Sequence, residues 1–384
     1  MPDVWPAVST ELPEENTVTS DGFTFVSVTI PPIAAATVVL NKETSVLATD
    51  ATTQLSDFDA GVDASATAFD ITLLRVESAA SSTLDGMTRS SRAIAEAELD
   101  EFDGSGTPVS RNSKMIEAAM ASPDAMSDAG VLTLQRLLFG DLGSAVAPGY
   151  RSEQVWIVGG EPVGQPEELY IPPRFEQVPA AMHDLQAFAA RTDIAPLVHA
   201  ALTHAQFETI HPLLGGNGRI GRALVQHMLR RAGLTPSIVV PISAGLLAQK
   251  DRYFSALTAY RAGEINEIVA VFASAVHLSI TNAEAMLRTI NEVRGEWKSK
   301  LATTRGGATA HVLADVALQH PVLNSKFVET RFNVPPKTAL GALARLEDLR
   351  ILNKATSPQR ARLWIAPEIT AALTAFAARS QPPF

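Results

Sequence analysis

Apolar residues return every three or four positions through residues 194–210 and 217–232, with Leu197, Val198, Ala201, Leu202 and Ala205 forming one stripe. That period predicts two helices. Between them runs His211-Pro212-Leu213-Leu214-Gly215-Gly216-Asn217-Gly218-Arg219-Ile220-Gly221-Arg222, so the chain must fold as helix, glycine-rich turn, helix. Glycines let a backbone approach an anion closely and adopt positive φ, and the first amides of the second helix, at the positive end of its dipole, attract negative charge. Arg219 and Arg222 are three apart and lie on neighbouring positions of the next turn, where both can reach phosphate oxygens. His211 precedes the anion turn, where an imidazole can take a proton from a hydroxyl attacking that phosphate.

Helical periodicity recurs at 70–80, 112–121, 131–139, 178–190 and from 244 to about 300, with Gly86 as a stop for the first of these. Residues 23–30 are β-branched and aromatic and end at Pro31-Pro32, which predicts an extended piece in an N-terminal arm reaching to about residue 65. Residues 149–160 read as a turn and a strand, and Tyr170 to Pro173 as a second extended piece, together a small flap. After a small-residue linker at 303–308 come three more helical segments, at 312–318, 326–331 and 337–346, followed by two extended pieces at 351–352 and 362–366 with a polar turn between. Three short helices and a hairpin predict a winged helix. The chain is thus expected to be mainly α, with an N-terminal region at 1–110, a helical-bundle core with its β-hairpin flap at 111–302 and a winged-helix module at 309–384.

With 384 residues, 46% hydrophobic and 19% charged, the chain can bury a sizeable core and is not disordered in composition. It has no cysteine, which excludes disulfides, a thiolate nucleophile and a Cys-ligated zinc site, and its eight histidines show no metal-ligand spacing. The N-terminus lacks a basic segment followed by an apolar stretch, and the apolar run at 28–40 is broken by Pro31 and Pro32, so no secretory signal or membrane span is expected. A soluble, cytoplasmic protein is the expectation. The net charge of −10 is uneven: residues 321–384 hold nine Lys/Arg against four Asp/Glu, a net +5, which leaves −15 on the rest.

The segment from His211 resembles the signature of the Fic family, His-Pro-Phe-x-(Asp/Glu)-Gly-Asn-(Gly/Lys)-Arg-x-x-Arg, matching at His211, Pro212, Gly216, Asn217, Gly218, Arg219 and Arg222. Leu213 stands for Phe, and Gly215 for the acid. The likeness runs from about Ile30 through the C-terminal hairpin and includes the stretch from His204 to His211. The resemblance implies a Fic helical bundle and transfer of AMP from ATP to a Ser, Thr or Tyr hydroxyl of a protein. His211 would be the base, Gly216, Asn217 and Gly218 would cradle the phosphates, and Arg219 and Arg222 would orient and neutralise them. It also implies Mg2+ on the phosphates, held by the acid that Gly215 replaces; glycine has no side-chain oxygen to offer a hard cation, so no metal ligand is assigned. Upstream, Ser81-Ser82-Thr83-Leu84-Asp85-Gly86 is similar to the family's inhibitory signature, (Ser/Thr)-x-x-x-Glu-(Gly/Asn). That likeness implies a helix whose acid, here Asp85, pairs with Arg222 and blocks the γ-phosphate, with Ser81 and Gly86 completing the motif.

Two readings stay open. The first is an AMP-transferase restrained by its N-terminal helix. The second is a degenerate Fic module with weak or no catalysis that binds a nucleotide or a protein and regulates through its winged helix, favoured by Gly215 and Asp85. Protein targets follow from the first; the winged helix is open to DNA or protein contact through Lys337, Arg345 and Arg350, and a homodimer is compatible with both. His204, inside the helical stripe, is expected in the core.

Overall fold

The computed structural model describes residues 5–9, 17–20, 23–62, 67–102, 108–140, 149–159, 168–302, 308–357 and 360–382. Residues 303–307 of the expected linker and Gly160 of the flap lie outside them, while Ala308, also expected in the linker, opens a helix. Helices dominate: α1 (Lys42–Gly61), α2 (Thr67–Leu84), α3 (Ser91–Phe102), α4 (Pro108–Ala121), α5 (Asp128–Phe139), α6 (Val178–Ala189), α7 (Pro196–Ile210), α8 (Asn217–Arg231), α9 (Ile242–Ala248), α10 (Lys250–Arg261), α11 (Ile265–Ala302), α12 (Ala308–Gln319), α13 (Ser325–Phe332), α14 (Pro336–Asp348) and α15 (Pro367–Arg379). The strands are β1 (Thr17–Ser20), β2 (Phe23–Val26), β3 (Ile157–Gly159), β4 (Glu168–Tyr170), β5 (Val322–Leu323), β6 (Asn353–Ser357) and β7 (Arg360–Ile365).

All sheets are small and antiparallel: β1 with β2, β3 with β4, and a three-stranded sheet in the order β5-β7-β6. The expected extended piece at 23–30 is shorter than its composition suggested, being a strand only to Val26, with an isolated bridge from Thr29 to Ser9 beyond it. The continuous helical pattern from 244 to 300 is divided into three helices. One break has a clear cause: Gly263 has φ 90, and a Cβ there would come within 2.9 Å of the Trp5 carbonyl oxygen. Helices α1, α3 and α15 and strand β5 were not anticipated. Helix α1 runs for 20 residues through the expected extended arm, its buried positions Thr44, Ala48 and Ala51 being too small or polar to mark a helical face. Helices α3 and α15 are rich in alanine, and two apolar residues make too short a signal for β5.

The chain divides into two compact units, one of Met1–Ser56, Lys114–Pro236 and Gln249–Ala275, the other of Asp57–Ser113, Ser237–Ala248 and Val276–Phe384. In the first, α7 is the axis, packed by α6, α8 and α10. The sequence suggests one apolar stripe on α7, yet every residue from Leu197 to Ile210 is buried. Burial on all sides is tolerated because most of its polar side chains find partners, the Thr203 hydroxyl being an exception. His199 donates to the Phe188 carbonyl at 2.9 Å, Gln206 accepts from the Tyr260 hydroxyl at 2.9 Å, and Thr209 donates to Ala205 at 2.7 Å. His204, in the core as expected at 1% exposure, pairs with the Tyr253 hydroxyl at 2.7 Å. Gly221 of α8 faces it: a Cβ there would lie 2.9 Å from His204 Nδ1, so only glycine lets the two helices pack this closely.

In the second unit α2 is the hub, packed by α9, α12 and α15. Its Glu77, 1% exposed, accepts from the backbone and hydroxyl of Ser243 at 2.9 and 2.6 Å at the start of α9. Buried Arg75 forks onto Glu98 of α3 at 2.5 and 2.6 Å. Burial pushes the Glu98 carboxyl up, but Arg75 and His320 outweigh it and hold it at about 2. Helix α11 is 38 residues long, and its most apolar stretch, with mean hydropathy 1.4, is 67% buried inside the protein.

Candidate active site

The loop from His211 to Gly216 is shaped by two left-handed residues and two sets of hydrogen bonds. His211 caps α7 at φ 49, ψ 62, its amide bonded to the Phe207 carbonyl at 2.9 Å. Left-handed backbone is uncommon for a residue with a side chain and persists where the surroundings determine it. Arg151 supplies part of that determination. Its Nε donates to the His211 carbonyl at 2.9 Å and its backbone N–H to the Pro212 carbonyl at 2.8 Å, while the other guanidinium nitrogens reach the carbonyls of Glu153 and Pro173. Burial pushes this guanidinium down to about 10, so the cation is kept at neutral pH.

At the other end, Asn217 closes the loop on itself: its Oδ1 accepts from the Leu213 amide at 2.9 Å and its Nδ2 donates to the Leu213 carbonyl at 2.8 Å. The Asn217 side chain therefore holds the turn, and its backbone N–H lies at the start of α8. Gly216 is the N-cap of α8 at φ 79, ψ 10 and places no side chain over the helix N-terminus. A Cβ there would lie 2.6 Å from Leu138 Cδ2 of α5. Gly216→Ala combines that clash with an unfavourable φ and is expected to lower stability by about 2 kcal/mol, on the scale of one strained backbone residue. A melting temperature equal to wild type would show that the turn is free to relax.

Arg219 and Arg222 lead from this turn into α8, 9% and 4% exposed, with the Arg219 guanidinium 5.7 Å from the centre of the Phe139 ring. The sequence pattern contains no hint of Phe139, which comes from α5. His211, with its side chain 21% exposed, has Nδ1 3.9 Å from Glu208 Oε2. Glu208 was also missed as a site residue, although its place one turn before His211 on α7 is legible in retrospect. Arg151 carries no motif signal at all. The Tyr170 hydroxyl, at the end of β4, donates to the Thr209 carbonyl at 2.7 Å and ties the flap to the end of α7.

Among the described residues no group of three or more His, Asp or Glu could hold a metal ion. At Gly215 the donor set does not fit Mg2+, since the position offers no side-chain oxygen. There is room for one: a Cβ at Gly215 would meet only Phe139 Cζ, at an ordinary 3.4 Å. Ser81, Asp85 and Gly86 lie in the second unit, Ser81 buried within α2 and Asp85 exposed just beyond its end. Gly86, at φ 80, stops that helix as expected, its amide bonded to the Thr83 carbonyl at 2.9 Å.

Residues 125–229, which contain α5, the flap, α7 and most of α8, match the model of the Fic/DOC family. Proteins named protein adenylyltransferase Fic from Drosophila melanogaster and Drosophila yakuba are each 28% identical over 156 residues, 41% of this chain and 29% of theirs. The chain therefore matches less than a third of the length of those curated relatives. A solved Fic family protein from Desulfovibrio desulfuricans G20 superposes with a TM-score of 0.54 at 19% identity, covering 85% of this chain and 97% of that one, a likeness of fold. With the motif seated at the junction of α7 and α8 and the matching segment around it, residues 125–229 form a domain of the Fic/DOC family.

Proposed function

We propose that this protein transfers AMP from ATP to a hydroxyl side chain of another protein, or of itself. The observation that carries the reading is the junction at Gly216: an imidazole on the C-cap of α7 stands beside a side-chain-free N-terminus of α8, with two arginines in the next turn. In the reaction His211 takes the hydroxyl proton as that oxygen bonds to the α-phosphorus, and the bond from the α-phosphorus to the bridging oxygen breaks to release pyrophosphate. Glu208 stabilises the imidazolium that results. Arg219 and Arg222 neutralise the phosphate oxygens, and the amides of the α8 N-terminus hold the chain of phosphates in line. The β3–β4 flap offers its edge to an extended segment of the target. No step is assigned to a metal, because Gly215 supplies no ligand. Incubation with α-labelled ATP, alone and with candidate protein substrates, tests the proposal: label on protein in wild type and none with His211→Ala supports it, and no label under any condition opposes it.

The degenerate, regulatory reading is favoured by Gly215. Because the position accepts a Cβ without a clash, Gly215→Asp should fold normally and, by restoring a hard-oxygen ligand, raise magnesium-dependent transfer at least tenfold. An unchanged rate from an already active wild type would mean that this enzyme needs no acid there; nucleotide binding without transfer in both would favour the regulator. Restraint by the motif at Ser81, Asp85 and Gly86 is proposed from its sequence: Asp85→Ala should increase labelling several-fold, and equal labelling in the two proteins would remove Asp85 from the mechanism.

A further inference from the structure

The C-terminal portion of the second unit contains an arrangement that AMP transfer does not use. Helix α13 is capped at its start by Asn324, whose side chain accepts from the Phe327 amide at 2.7 Å, and ends at Asn333 in left-handed backbone, φ 49. Pro335 and Pro336 then restart the chain as α14, so two helices are joined by a turn of three residues. Helix α14 buries Ala339, Ala342, Leu343 and Leu346, while Lys337, Thr338, Leu340, Gly341 and Ala344 are exposed. Strands β6 and β7 follow as a hairpin, with Lys354 paired to Trp364. The Trp364 indole donates to Glu347 at 3.0 Å, which fastens β7 to α14 and occupies that carboxylate.

We propose that this face binds duplex DNA, with the first turns of α14 in the major groove and the β6–β7 hairpin against the adjoining backbone. Three features favour that partner. Each of these elements carries an exposed cation: Lys326 and Arg331 on α13, Lys337 at the start of α14, Lys354 and Arg362 on the hairpin. The exposed acid of α14, Asp348, is at its far end, and the remaining acids of these elements, Glu329 and Glu347, are partly buried. The outward side chains in the middle of α14 are small or apolar, which lets a helix sit near the groove floor, and Thr338 can serve as a base or phosphate partner. The positive end of α14 adds to the attraction for phosphate. The net +5 of residues 321–384, on a chain of net −10, concentrates the attraction in this module.

Anisotropy of a labelled duplex of about 20 base pairs, titrated with the full chain at several salt concentrations, is the test. We expect binding with Kd on the order of 10⁻⁵ to 10⁻⁶ M for an arbitrary sequence and a log–log salt slope near −4, at about −0.9 for each phosphate neutralised. The double variant Lys337→Glu, Arg362→Glu should weaken binding tenfold or more and flatten the slope by about 2, with melting temperature and AMP transfer unchanged. The single change Lys337→Gln, at an exposed position, should give a smaller loss in the same direction. Arg219→Ala with Arg222→Ala should leave DNA binding intact, which separates this inference from the AMP-transfer reading. No salt-dependent binding, binding indifferent to Lys337 and Arg362, or binding lost with the α8 arginines would each overturn it.

Discussion

His211→Ala is expected to reduce AMP transfer by about 10²–10⁴-fold while ATP affinity stays within about twofold of wild type, because a proton acceptor acts only on the way to the transition state. The fold should survive. The backbone contacts that hold residue 211 in left-handed backbone, from Arg151 to its carbonyl and from its own amide to Phe207, do not involve the imidazole. Alanine is somewhat less at home than histidine at positive φ, so a loss of up to about 1 kcal/mol is allowed for. Single-turnover labelling, calorimetric ATP binding and a melting curve on the same preparation separate these effects. Transfer at the wild-type rate in the folded variant would end the assignment of His211 as base. A parallel loss of ATP affinity would instead make it a phosphate-binding residue.

Arg151→Ala is expected to lower stability by about 3–5 kcal/mol, because one side chain serves three carbonyls at once. The carbonyls of His211, Glu153 and Pro173 would lose their donor together, and each buried acceptor left without a partner costs about 1–3 kcal/mol. Arg151→Lys distinguishes positioning from bulk stability. Lysine keeps the charge but lacks the planar fork that reaches three carbonyls at once. It should recover much of the melting temperature while kcat stays at least tenfold down and the KM for ATP changes little, since the α8 N-terminus is held separately by Asn217. Wild-type melting behaviour in Arg151→Ala would show that the loop is held by other contacts; full activity in Arg151→Lys would show that the fork is dispensable.

Helix existence was legible in α2, α6 and α8, because a 3.6-residue apolar repeat has one dominant physical cause, and was missed in the 20-residue α1, whose buried positions include the small or polar Thr44, Ala48 and Ala51. What failed was the burial of α7. A stripe of apolar residues suggests one buried side, yet Thr203, His204, Gln206 and Thr209 are inside as well. His204, Gln206 and Thr209 find partners in Tyr253, Tyr260 and the backbone, and no local pattern encodes the approach of the two tyrosines. The three-residue strands of the flap were legible only in outline for the related reason that a short strand is stabilised by its neighbour across the sheet.

The sequence by itself determined the chemistry of the site, since His211, the glycines, Arg219 and Arg222 are neighbours along the chain and their spacing on a helix start follows from backbone geometry alone. It also determined the absence of a carboxylate at Gly215. Tertiary structure decided what holds that chemistry in place. Arg151, 60 residues before His211, reaches its carbonyl, and Phe139 underlies Arg219 from another helix. The Asn217 side chain closes its own loop through Leu213. Hydrogen bonds between residues distant in sequence depend on how helices pack, and packing is a property of the whole core rather than of any one segment.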